Sequence, residues 1–177
     1  MGTVLNYFDE IKRSMEYIAQ DERSVFLGQC VGYPGNILYK TVCDIDASKR
    51  IEVPVMEDCQ MGMSIGLALN GLIPVTIYPR WDFLILATNH LVNHLNKFSK
   101  MTNDRVNPKI IVRVCVGSTK PLYPGPQHCS DYTEIYEKML ENVNVVKLER
   151  SGQVFDAYKN ALVSDRSTIL VELADLY

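Results

Sequence analysis

The stretch "VPVMEDCQMGMSIGLALNG", residues 53–71, decides how this chain reads. An apolar, strand-like run at residues 53–56 meets two adjacent acids, Glu57 and Asp58. A helix of small and apolar residues follows at once, with Gly62, Gly66 and Ala68 where a surface helix usually carries Lys or Glu. Strand, acid and apolar helix in direct succession form the junction of an α/β unit. An acid in the first helical turn is favoured by the helix dipole. The dipole does not explain apolar surroundings, because a buried carboxylate is costly unless paired or protonated. The functional reading of Glu57 is a carboxylate placed for proton exchange with a ligand nitrogen.

Working outward, the same alternation continues in both directions. Residues 3–20 read as an amphipathic helix, with Val4, Tyr7, Phe8, Ile11, Met15 and Ile18 at helical spacing. "SVFLG" (24–28) reads as a buried strand and "QCVGYPGN" (29–36) as a turn region. Residues 37–49 are ambiguous, with a short helix around residues 44–49 as one option, and "RIEVPV" (50–55) reads as a strand. After the 57–70 helix come strand "IPVTIYP" (73–79), one long helix over residues 81–101, and strand "KIIVRVCVG" (109–117). A Pro/Gly loop (118–131), helix 132–140, strand 143–148, helix 153–164 and strand 168–173 complete the chain. Short continuous apolar strands alternating with helices predict one α/β domain over residues 1–177, three-layered with a mainly parallel sheet. Ligands of such sheets gather at the carboxyl ends of strands. Glu57, the "YPRWDF" segment (78–83) and the loop around His128 all follow strands, so three candidate sites share one rim.

Composition narrows the function. The chain has 177 residues, 47% hydrophobic and 22% charged, with a formal net charge of −3 and no dense Lys/Arg run, so nucleic acid is not an expected partner. No apolar segment reaches the roughly 18 residues a membrane span needs, and the N-terminus lacks a signal-peptide pattern. Five cysteines, none at C-x-x-C spacing, fit reduced thiols and a cytoplasmic location.

His90 and His94 are four apart, but "HLVNH" lacks the Glu of H-E-x-x-H and offers no third ligand, so a structural or interface pair is expected and no metal. The Gly62/Gly66 pair reads as a tight helix-packing face of the kind found between subunits. His128 lies in a Pro/Gly loop after a strand, and its neighbour Cys129 is poorly placed for a Cys–His nucleophile. "GQCVGYPG" (28–35) matches neither common phosphate-binding pattern, so no phosphate cradle is expected.

Residues 54–97 carry P-x-x-E…G…G-x-A-x-x-G-x-x-P, an aromatic-rich D-F, and an N-H-x-V-N-H-x-x-K helix; "GPQHCSD" (125–131) and "VNVVKL" (143–148) follow in order. Together these segments resemble the β (E1 beta) subunit of the first component of 2-oxo acid dehydrogenases, a transketolase-like, pyrimidine-binding domain of thiamine diphosphate enzymes. The resemblance runs over nearly the whole chain. It implies that Glu57 hydrogen-bonds the aminopyrimidine ring of the cofactor, that Phe83 stacks on that ring, and that His128 lies near the substrate. The cofactor would act as electron sink for a 2-oxo acid or a ketose. The resemblance also implies that a second subunit with a G-D-G…N motif holds the diphosphate and Mg²⁺ in an α2β2 heterotetramer, since no G-D-G occurs here.

Two departures are visible. Gln29 and Cys30 follow Gly28 where the family reads G-E-D, and the sequence reaches Tyr177 directly after its last strand, so the family's further C-terminal domain is expected to be absent. A stand-alone pyrimidine-binding subunit is then expected, with docking onto a lipoyl core left open. The alternatives within enzymes are a split transketolase or a sulfopyruvate-decarboxylase-like subunit. The alternative outside enzymes is a non-catalytic regulatory or scaffolding homologue.

Overall fold

The computed structural model describes residues 5–177. Six strands, β1 (Ser24–Gly28), β2 (Arg50–Glu52), β3 (Ile73–Tyr78), β4 (Ile111–Val116), β5 (Asn144–Leu148) and β6 (Thr168–Leu173), form one sheet in the order β2-β1-β3-β4-β6-β5. Every pairing is parallel. The strand alternation sends Val75, Ile77, Ile111, Cys115 and Leu170 to one face and Tyr78, Val112, Val114, Ile169 and Val171 to the other. Both faces are covered, which is why the strands read as apolar runs instead of alternating with polar residues.

Helices α1 (Tyr7–Ala19) and α6 (Ser151–Val163) pack together over the first face. Over the second lie α2 (Glu57–Leu69), the helical run at residues 81–101, which includes α3 (Trp81–Leu84) and α4 (Phe98–Met101), and α5 (Thr133–Met139). This is the expected three-layer α/β/α arrangement. The α1 start expected at residues 3 and 4 lies outside the described residues; Asn6 accepts the Asp9 amide at 2.8 Å and caps the helix. At the other end of the key stretch, Gly71 (φ 87°) closes α2. Its amide bonds the Ala68 carbonyl and that of Leu72 the Leu67 carbonyl, a Schellman motif that a residue with a side chain adopts only under strain.

Two elements differ from the sequence expectation. The strand expected over residues 50–55 ends at Glu52, where Pro54 has no N–H to extend a ladder. The helix expected over residues 81–101 is a succession of turns of changing pitch, with 3-10 turns at Ile85–Ala87 and Leu95–Lys97 and a π-helical turn at His90–His94. The amide of Leu95 reaches back to the His90 carbonyl across that turn. Residues 37–49, ambiguous in sequence, form two 3-10 turns, Ile37–Thr41 and Ala47–Lys49.

Candidate functional site

The carboxyl ends of β1 and β3 set the position of Glu57. Gln60, one turn further along α2, donates to Thr76 Oγ1 at 2.9 Å and to the Ile77 carbonyl at 3.1 Å. The Tyr78 hydroxyl donates to the Glu57 main-chain carbonyl at 3.1 Å. Burial holds that hydroxyl above the usual phenol range, so it stays a donor. These bonds pin the N-terminus of α2 to β3, and Glu57 is 7% exposed there. Its side chain has one neighbour within hydrogen-bond range, Gln29 Nε2, at a long 3.5 Å from Oε1. A buried carboxylate so thinly supplied with donors has acceptor capacity to spare. Met56, Glu57, Asp58, Cys59, Leu86 and Asn89 line a pocket of about 630 Å³ around it.

Phe83 and His128 meet in a neighbouring pocket of about 560 Å³, with Ile85, Gln127, Ser130 and Tyr132. Their ring centroids are 5.6 Å apart at 85°, an edge-to-face contact. The loop carrying His128 is tied to α3 by the Ser130 amide, which donates to Asp82 Oδ2 at 3.2 Å, and to β5 by the Asp131–Lys147 ion pair at 2.7 Å. His128 Nδ1 is buried with no hydrogen-bond partner among the described residues. The three residues singled out in the sequence therefore fall into two pockets. Phe83 and His128 share one, Glu57 lines the other, and the helical run contributes Ile85 to the first and Leu86 to the second.

The glycine pair behaves unequally within the chain. A Cβ on Gly62 would sit 3.4 Å from His90 Nε2, in ordinary contact with that ring, whereas a Cβ on Gly66 would meet nothing within 4 Å. The turn after β1 holds a further surprise. The amides of Cys30, Val31 and Gly32 all point at Glu52, at 2.7, 2.9 and 2.7 Å, and Cys30 adopts φ 56° to allow it. The sequence reading of no phosphate cradle thus meets an anion nest already filled by the chain's own carboxylate. Gln60 and Glu52 were missed in the sequence. The first was signalled by a lone amide in an apolar helix and the second by an acid at the end of a strand. Among the described residues, no three His, Cys, Asp or Glu side chains form a metal-binding group, and no helix is long and apolar enough to cross a membrane.

No family model matches the chain. Individual relatives do. It is 27% identical over 175 residues to a pyruvate dehydrogenase E1 component subunit beta of Gracilaria tenuistipitata var. liui, spanning 96% of this chain and 53% of the relative. It is 26% identical to a 3-methyl-2-oxobutanoate dehydrogenase subunit beta of Mycobacterium tuberculosis, spanning 95% of this chain and 49% of that one. A 2-oxoisovalerate dehydrogenase subunit beta of Bacillus subtilis is 24% identical over 95% of this chain and 51% of its own length. The chain spans about half the length of the curated relatives it matches. Among solved structures, a split gene transketolase, an inactive β4 tetramer, superposes with a TM-score of 0.71 at 15% identity, over 94% of this chain and 50% of that one. Transketolase from Campylobacter jejuni gives 0.70 at 14% identity, over 94% and 25%. The chain is thus similar to E1 beta subunits of 2-oxo acid dehydrogenases and has a transketolase-like fold.

Proposed function

We propose that this chain is the pyrimidine-binding subunit of a split thiamine diphosphate enzyme acting on a 2-oxo acid or a ketose, completed by a second subunit in an α2β2 assembly. The observation that carries this reading is Glu57, a buried carboxylate with unspent acceptor capacity at the mouth of α2. The similarity to E1 beta subunits over nearly the whole chain supports it. A partner with a G-D-G…N motif would hold the diphosphate and Mg²⁺, and the location would be the cytoplasm.

The residues present fit the ring end of the cofactor. Glu57 offers an acceptor to a ring nitrogen, beside the apolar walls of Met56 and Leu86. When bound, thiamine diphosphate supplies a carbon nucleophile and an electron sink for cleavage beside a carbonyl. Glu57 holds or shares a proton at the pyrimidine nitrogen, and its low exposure keeps water from competing. Phe83 lines the neighbouring pocket, so it would give an aromatic surface to a cofactor ring that spans the two. His128 lines the neighbouring pocket, where its ring would bond a substrate oxygen or move a proton at the rim. In the assembled enzyme, Glu57→Gln is expected to lower turnover by about 10²–10⁴-fold while leaving subunit association intact. Turnover within threefold of the parent would sink the proposal.

Gln29 supports a second reading. It occupies the place of a family acid and faces Glu57, as a regulatory or scaffolding homologue freed from catalysis would tolerate. Purification from native cells, with mass spectrometry of any stoichiometric partner, separates the two. A partner carrying G-D-G…N supports the split enzyme, and a complex that never takes up thiamine diphosphate supports the scaffold.

A further inference from the structure

The π-helical turn His90–His94 aims two imidazoles at each other. Their Nδ1 atoms are 3.1 Å apart, with ring centroids at 4.9 Å. His90 Nε2 lies 3.4 Å from Asp58 Oδ1, beside Gly62. A carboxylate near Nε2, although not hydrogen-bonded to it, favours the His90 tautomer with its proton there, which leaves the Nδ1 lone pair facing His94. With that tautomer, His94 Nδ1–H is the donor of the Nδ1–Nδ1 hydrogen bond in the cation-free chain. A cation about 2.1 Å from each of two imidazole nitrogens holds them between about 3.0 Å (right-angled) and 3.4 Å (tetrahedral) apart. The observed separation falls inside that window. A carboxylate on the outer nitrogen is also the usual support of a metal-bound histidine.

We propose that His90 and His94 form a two-imidazole site for a borderline divalent transition cation, of the Ni²⁺ or Zn²⁺ class, with Asp58 as the positioning residue for His90. Neutral nitrogen donors favour this class over Mg²⁺ or Ca²⁺, which seek oxygen. On binding, the cation replaces the proton between the two Nδ1 atoms. That proton is carried by solvent to His94 Nε2, so both rings stay neutral and the charge gained is the cation's. Water completes the coordination. A two-donor site needs no third side chain, so the missing Glu of H-E-x-x-H is no obstacle. The sequence could not show the π-turn that brings the rings together, or Asp58 behind His90.

The test is a Ni²⁺ titration of the full chain, followed by calorimetry and by long-range ¹H–¹⁵N spectra of the imidazoles. One equivalent is expected to bind, moving the Nδ1 signals of His90 and His94 together and leaving those of His128 in place. His94→Gln is expected to weaken binding at least about 100-fold, and Asp58→Asn about 10–100-fold. Cys59→Ser, on the same exposed turn of α2, leaves binding unchanged. Should His94→Gln unfold the chain, Asp58→Asn, altered at a side chain 60% exposed, decides the matter. Absence of binding, an affinity insensitive to Asp58→Asn, a response at His128, or loss with Cys59→Ser would each overturn the site and leave a plain histidine–histidine hydrogen bond.

Discussion

Between the sheet and α1/α6, Arg113 of β4 and Glu172 of β6 are 1% and 0% exposed, and they pair through Nε–Oε1 at 2.8 Å and Nη2–Oε2 at 3.0 Å. Arg113 also donates to Thr41 Oγ1 at 3.1 Å, and the hydroxyls of Tyr158 and Tyr177 donate to Glu172. Burial, reinforced by the Glu172 carboxylate, pushes the Tyr158 hydroxyl far above the ordinary phenol range, so it remains a donor. On the other side of the same sheet, Gln60 Oε1, Trp81 Nε1 and His128 Nδ1 are buried without partners among the described residues, and Glu57 has one long contact; on the α1/α6 side the same holds of Arg50 Nε alone, at the β2 edge. Side chains that complete one another are read here as structure. Of the side chains left with capacity, Glu57 and His128 line pockets where the strands end, and those pockets are places for something else to bond.

The comparison can be broken most sharply at the satisfied side. Arg113→Leu strands Glu172 as an unpaired buried charge and is expected to cost about 3–5 kcal/mol in urea unfolding, most of it recovered when Glu172 is also made apolar. A loss below about 1 kcal/mol would mean that the network carries little. On the unsatisfied side, Phe83→Ala is expected to raise the thiamine diphosphate concentration for half-maximal activity of the assembled enzyme by about tenfold, the size of one lost aromatic stack. Glu57→Gln should leave the unfolding free energy of the chain within about 1 kcal/mol of the parent, and a rise is as acceptable as no change. A large fall would make Glu57 part of the frame and erase the contrast.

A surface acid sets the baseline. The Arg23 side chain, bonded to Asp21, holds its carboxyl at about 2, below the ordinary value. A depressed folded-state value stabilises above about pH 4 and is lost as pH falls towards 2. Stability curves of the parent and Asp21→Asn should therefore converge over that window; parallel curves would show that the contact contributes nothing.

Much of the frame was legible because its signals are local. "SVFLG" became β1 and "TILVEL" became β6 with the expected bounds, and α2 was readable from Glu57 and Gly71 at its two ends. The pairing of Arg113 with Glu172 was not legible, although each charge stands out in an apolar strand, because their contact depends on β4 lying beside β6. The same limit applies to the site. Glu57, Phe83 and His128 were picked out by type and position, but their division between two pockets is set by the 3-10 turn at residues 85–87. Nor does any residue pattern announce the change of pitch at residues 90–94. Glu52 was hidden for a similar reason. Its role is fixed by Pro54 ending the strand and by a turn some 20 residues upstream.

The hydroxyl of Tyr7 has a consequence for how this chain comes into being. It donates to the Leu148 carbonyl at 2.8 Å and accepts the Leu173 amide at 3.0 Å, partners 141 and 166 positions away in sequence. On a ribosome, α1 emerges before β5, α6 and β6, and until they follow it meets only the nearer partners of its cluster, such as Phe26, Leu38 and Val42. Its apolar stripe of Ile11, Met15 and Ile18 is therefore only partly covered until the last strand is made, so vectorial synthesis delays the closure of this domain.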